Sequence, residues 1–149
     1  MHLDVSVSNQ TLQVVEGGIV VKSYAISTSK FGLGSETGSN HTPLGNFEIR
    51  EKVGDQAPEF TIFRSRREAG VWNPAEPAGE DFVLTRILWL AGVDPENANT
   101  FDRYIYIHGT NEEDKIGAPA SHGCIRMRNA DVIDLYDRVP RGTPVRIRR

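Results

Sequence analysis

The sequence predicts a mostly β single domain with a minor α component. Three observations carry this. Apolar and polar residues alternate in short runs near both ends, Gly at 14 positions and Pro at 8 punctuate the chain, and one stretch alone repeats its apolar residues at helical spacing. The 149 residues suit one domain, 1–149, because a chain of that size buries roughly 68–70% of its unfolded surface without staples. Hydrophobic residues at 38% and charged residues at 25% make the mixture of a folded chain, not a disordered one.

Leu3, Val5 and Val7 alternate with Asp4 and Ser6, which predicts a half-buried strand. Thr11–Glu16 and Ile19–Ala25 are two more, joined by Gly17-Gly18, a hairpin turn because both glycines accept positive φ. Residues 27–40 are rich in Ser and Gly and read as a loop. The turn Thr42-Pro43-Leu44-Gly45 leads into a strand over Asn46–Arg50. Residues 51–80 mix charges with Pro58, Pro74 and Pro77, so a long excursion is expected, with one strand near Phe60–Phe63. Asp81–Leu90 leans to strand on its β-branched and aromatic content. Arg103–Ile107 is a further strand, with Ile105 and Ile107 on one face and Tyr104 and Tyr106 on the other, ending at His108-Gly109. Asn129 is the expected N-cap of the helix. Val132, Leu135, Tyr136 and Val139 lie at i, i+3, i+4 and i+7, and Pro140 with Gly142 ends it. Pro144–Arg149 returns as the last strand.

The formal charge of −3 argues against nucleic acid as a partner, which calls for a basic face. One cysteine excludes an intramolecular disulfide. The segment Met1–Val7 lacks the basic start, apolar stretch and cleavage site of a secretory signal. The longest apolar run, Phe82–Val93, is broken by Thr85 and Arg86 and is too short to span a bilayer. A soluble, cytoplasmic monomer is expected, or a periplasmic protein if Met1 replaces a removed export signal.

The densest chemistry is Ser121-His122-Gly123-Cys124-Ile125-Arg126, preceded by His108-Gly109-Thr110. A thiol becomes a good nucleophile when an imidazole or a helix N-terminus lowers its pKa from about 8.5. A loop folding back would bring His108 to Cys124, and the helix starting near Asn129 would turn its positive end toward the sulfur. The Gly123 and Cys124 N–H groups would bind an oxyanion. A lone Cys is more often a small buried hydrophobe, and a lone His more often structural. The sole Cys beside two His, bracketed by Gly and turn residues, reverses that preference. His41, His108, His122 and Cys124 also form a zinc alternative, but no second Cys and no His-x-x-x-His pair supports it, so no metal is expected.

These residues resemble the YkuD domain, the L,D-transpeptidase catalytic domain of bacterial peptidoglycan enzymes. The resemblance rests on Ser121-His122-Gly123-Cys124-Ile125-Arg126-Met127, Thr42-Pro43-Leu44-Gly45-Asn46-Phe47, Ile105-Tyr106-Ile107-His108-Gly109-Thr110 and Gly142-Thr143-Pro144-Val145, in the family's order. Arg126, where other branches carry Asn, makes it most similar to the ErfK/YbiS/YcfS/YnhG branch.

The resemblance implies a β-sandwich-like catalytic domain without cofactor, acting on peptidoglycan tetrapeptide stems or muropeptides. It implies Cys124 as nucleophile on the meso-diaminopimelate carbonyl, expelling the terminal D-alanine, and His108 as base. His122 would orient the site or help to hold the oxyanion, and Ser121 and Gly123 would shape the loop. Arg126 is the first candidate for the D-alanine carboxylate, with Arg86, Arg64, Arg66 and Arg103 as others, and Tyr104 and Tyr106 are candidates for lining the cleft. Residues 51–100 would be a variable lid. Water as acceptor gives an L,D-carboxypeptidase, and the missing signal favours this in cytoplasmic muropeptide recycling. An amine as acceptor gives an exported transpeptidase that forms 3-3 crosslinks or exchanges D-amino acids. A peptidoglycan-binding module that has lost its chemistry is a third reading. The family likeness further implies acylation of the thiol by carbapenem-type β-lactams.

Overall fold

The computed structural model describes residues 1–76 and 79–149, so Pro77 of the expected excursion lies outside the described residues. Ten strands form among the described residues: β1 (His2–Ser6), β2 (Thr11–Glu16), β3 (Ile19–Ser27), β4 (Gly45–Val53), β5 (Thr61–Arg64), β6 (Arg67–Val71), β7 (Val83–Gly92), β8 (Tyr106–Gly109), β9 (Ile125–Met127) and β10 (Pro144–Arg148). Helix α1 (Asn129–Arg138) lies between β9 and β10. The protein is mostly β with a small helical part, as its residue pattern predicts.

Eight strands follow one another in the order β4–β10–β1–β2–β3–β9–β8–β7, and β4 pairs back with β7, so the sheet closes on itself. The β5–β6 hairpin is an arm added to the edge of β7. Pairs β1–β10 and β8–β9 are parallel, and the remaining pairs are antiparallel. Alternation on the facing strands fills the interior. Leu3 and Val5, Leu12 and Val14, Val145 and Ile147 meet Phe47, Ile49, Leu88, Ile107 and Ile125 in one core, which Val132, Leu135 and Tyr136 of α1 complete. Each such side chain removed from water contributes about 1.5–3 kcal/mol. The turn at Gly17 and Gly18 has φ of 57° and 77°, the left-handed pair expected there.

Four elements differ from expectation. β6 was not foreseen because all five of its residues are exposed and leave no alternation to read. β9 has three residues, too few to show a period. Tyr104 is not in a strand. The turn Phe101–Arg103 is 3₁₀ and Tyr104 caps it at φ 58°, yet its ring still lies against Trp89 and Arg66, as the side chain of Tyr106 does. The helix is capped by Arg128, and Asn129 is its first residue, because the Asn129 side chain is spent on Thr110 and Glu113. The expected lid also shrinks. Residues 83–92 are β7, a member of the closed ring, so what stands outside the ring in 51–100 is chiefly the β5–β6 arm. Among the described residues no helix is long and apolar enough to cross a membrane.

Candidate active site

The parallel register of β8 and β9 builds the site. Ile107 pairs with Ile125 and His108 with Arg126, so continuing one step back sets Cys124 beside Tyr106. Ile107, Ile125 and Met127 point into the core. Alternation then puts Tyr106, His108, Cys124 and Arg126 on the opposite face. His108 and Cys124 are diagonal neighbours there, one strand spacing of about 4.8 Å across and two residues of about 3.3 Å along. Both line a cavity of about 230 Å³ with Asp81, Val83, Ser121, His122 and Arg126.

Cys124 is half-buried, and its sulfur sits between two backbone groups. The Tyr106 N–H donates to Sγ at 3.3 Å, and the thiol donates to the Tyr104 carbonyl at 3.4 Å. Burial pushes the thiol pKa up to about 11, against which the Tyr106 N–H, Arg103 and Arg126 favour the thiolate. This reverses the expected lowering, because burial outweighs those groups. The N-terminus of α1 serves another group, since the Asn129 N–H donates to Glu113 Oε2 at 2.7 Å. The resting sulfur is a thiol and needs a base at the moment of attack.

His108 is buried, and burial holds its pKa below the ordinary histidine value. Its Nδ1 lies 2.5 Å from the Gly109 carbonyl. A carbonyl only accepts, so Nδ1 carries the proton and Nε2 of the neutral ring carries the free lone pair. A thiol and a neutral imidazole are thus set on one face and in one cavity, as a general base and its nucleophile must be.

Ser121 ties the turn that presents the sulfur. Its Oγ donates to the Cys124 carbonyl at 2.6 Å and accepts from the Gly123 N–H at 3.3 Å. The Gly123 amide expected in an oxyanion hole therefore already has a partner. Gly123 itself has φ 120°, and a Cβ there would lie 3.3 Å from the His41 carbonyl, so glycine is required. His122 is exposed at the cavity mouth with its ring 5.6 Å from that of Phe31. It also lines a second cavity of about 240 Å³ with Thr37, Gly38, Asn40, Arg103 and Ile105.

Arg126 is fully buried beside His108 and ion-paired through Nη1 to Asp81 (3.0 Å) and Glu112 (2.6 Å). Lys115 and Arg126 together hold the Glu112 carboxyl below the usual carboxylate range. The Nε and Nη2 of Arg126 are buried without a protein partner. Arg86 is not part of the cavity. It is buried on β7, its Nη1 donates to the Ala57 and Thr85 carbonyls, and its guanidinium lies 5.5 Å from the Tyr136 ring, so the structure does not bring this expected substrate-binding residue to the cavity. Tyr104 contributes its carbonyl to the sulfur, while its exposed ring lies outside the cavity, 5.1 Å from the Arg66 guanidinium. Asp81 and Glu112 were missed, since single acids in irregular segments carry no sequence signal. Among the described residues no three His, Cys, Asp or Glu side chains converge as metal ligands would.

A closed, mostly β domain thus sets one thiol, one imidazole and a buried guanidinium around one cavity. Residues 1–147 match the YkuD family, the L,D-transpeptidase catalytic domain, and the chain belongs to that family. It is 32% identical over 146 residues to YkuD of Bacillus licheniformis, named an L,D-transpeptidase, covering 98% of this chain and 64% of that one. YqjB of Bacillus subtilis is 34% identical over 106 residues, covering 71% of this chain and 51% of its own length. The chain thus spans about half to two thirds of these relatives. The solved L,D-transpeptidase from Xylanimonas cellulosilytica superposes with a TM-score of 0.64 at 23% identity, over 98% of this chain and 59% of that one, a likeness of fold.

Proposed function

We propose that the protein is a cysteine acyl-transferase that cleaves the L,D bond between meso-diaminopimelate and the terminal D-alanine of peptidoglycan tetrapeptides, with water as acceptor. It is then an L,D-carboxypeptidase acting on muropeptides in the cytoplasm. The observation that carries this reading is the thiol and the neutral, buried imidazole facing one cavity on the β8–β9 pair. Nε2 of His108 takes the Sγ proton as the sulfur adds to the diaminopimelate carbonyl. The C–N bond breaks, the imidazolium returns its proton to the departing D-alanine amine, and a thioester remains. Water, deprotonated by His108, then adds to the thioester, and the tripeptide leaves as the thiol recovers its proton. Arg126 is the proposed anchor for the D-alanine carboxylate, supported by its place in the cavity lining and by the Nε and Nη2 groups that have no protein partner.

Water as acceptor is the reading that asks least of the site. Once D-alanine has left, water needs no binding place of its own beside His108, whereas a second stem peptide does. A second reading, an exported L,D-transpeptidase, draws support from the separate cavity beyond His122, where an amine-bearing acceptor would have its own place. Mass spectrometry of a disaccharide-tetrapeptide incubated with the protein, with and without excess D-amino acid, separates the two. Tripeptide in both tubes supports the carboxypeptidase, and exchange products or crosslinked dimers support the transpeptidase. Tetrapeptide bound but unchanged leaves a binding module. Recovery of the native protein from the periplasm overturns the cytoplasmic assignment.

A further inference from the structure

We infer that Thr85 and Asn129 are positioning residues for His108 and act through Gly109. This rests on reading His108 as the base for Cys124. The register of β7 shifts between Leu84 and Ile87, where its outer edge passes from β4 to β5. In that bulge Thr85 is fully buried at φ 77°, a conformation a β-branched residue rarely adopts. Such backbone persists only where its surroundings over-determine it. Arg86 supplies that hold, since its Nη1 donates to the Thr85 carbonyl at 2.6 Å and to the Ala57 carbonyl at 2.8 Å.

The bulge turns the Thr85 hydroxyl inward. Oγ1 accepts from the Phe60 N–H at 3.0 Å and donates to Asn129 Oδ1 at 2.6 Å. Asn129 Nδ2 in turn donates to the Thr110 carbonyl at 2.8 Å and to Glu113 Oε2 at 2.9 Å. The same Asn129 Oδ1, with the Leu84 carbonyl, fills the space that a Cβ on Gly109 would need. Gly109 is therefore packed closely against Asn129 and Leu84, and its own carbonyl accepts the proton of His108 Nδ1. The strained bulge, the asparagine and the glycine form one chain that ends on the imidazole, fixing its tautomer and its aim at the sulfur. The charged groups facing His108 are Asp81, from the segment before β7, and Arg126 on β9, with the thiol of Cys124 on the same face, and none is changed by substitution at Thr85.

The test compares Thr85→Val, which removes the hydroxyl and keeps the branched shape, with Thr85→Ser, which keeps the hydroxyl. Two readouts are taken on the full chain: kcat and KM on a tetrapeptide, and the pH dependence of Cys124 alkylation by iodoacetamide. Thr85→Val is expected to lower kcat by about 10- to 10²-fold with KM nearly unchanged, and to displace the alkylation profile at the histidine limb. Thr85→Ser is expected to retain most of the kcat and the parent profile. An unchanged kcat and profile in Thr85→Val overturns the inference. So does equal loss in both variants that follows their melting temperatures. Alkylation needs no substrate, so a displaced profile in a protein that cleaves no tetrapeptide sustains this inference while the proposed function fails.

Discussion

The two sides of the closed sheet are built by opposite rules. On β1, β2 and β10, inward residues are Leu, Val and Ile, and charges such as Asp4 and Arg148 stay on the outer face. On β7, β8 and β9 the register shifts, Thr85 takes a left-handed backbone, and Arg86, His108 and Arg126 are buried. Among the described residues these three are the buried side chains of the Asp, Glu, His, Lys and Arg types, and all lie on that side. One side fixes the shape by alternation. The other departs from regularity to hold polar groups away from water, which costs stability unless each finds a partner.

The sharpest way to break the contrast is at the sulfur. Cys124→Ala is expected to abolish conversion of tetrapeptide to tripeptide while leaving the fold intact, as read by mass spectrometry and circular dichroism together. His108→Ala should follow, slowing thioester formation by about 10²- to 10⁴-fold, measured as acylation by a carbapenem-type β-lactam. On the regular side the expectation inverts. Leu12, fully buried on β2, should lose about 2–5 kcal/mol of stability on change to Ala in urea titration, with kcat unaltered well below the melting point.

Acidity sharpens the comparison further. Because burial depresses the folded-state pKa of His108, its stabilising effect is complete above the unfolded histidine pKa near 6.5 and is lost as pH falls below it. Melting temperature should therefore decline on acidification below about pH 6.5, and less so in His108→Gln. On the alkaline side, alkylation of Cys124 in His108→Ala should keep climbing toward pH 11, where the buried thiol ionises. The smallest effect is expected at the exposed Asp4–Arg148 pair, whose removal by Arg148→Ala should cost under about 1 kcal/mol in the same urea titration.

The regular side was the legible one. Alternation at Leu3, Val5, Val145 and Ile147 predicts β1 and β10, and the Val132, Leu135, Tyr136 spacing predicts α1, because one buried face writes its period into the sequence. The two strands that bear the site were only half legible. His108 and Cys124 announce themselves as residue types, but the parallel pairing that sets them on one face depends on β9, whose three residues show no period. The direction of the thiol shift was misjudged for a similar reason. Nothing local to Asn129 reveals that Glu113 would take its amide. The opposite assignment of Arg86 and Arg126 to scaffold and cavity is likewise a matter of tertiary partners, since both are arginines within apolar strands.

The ring is sealed by β1 lying parallel to β10, Leu3 opposite Val145. The seam thus joins two strands that stand at opposite ends of the domain. Contacts so distant along the chain form slowly, because loop closure must precede any reward from pairing. A nascent chain still short of Val145 holds β8 and β9 in full, yet β10, which bridges β1 to β4, has not arrived. Closure of the sheet therefore waits for β10, and that one strand decides when the domain becomes a cooperative unit.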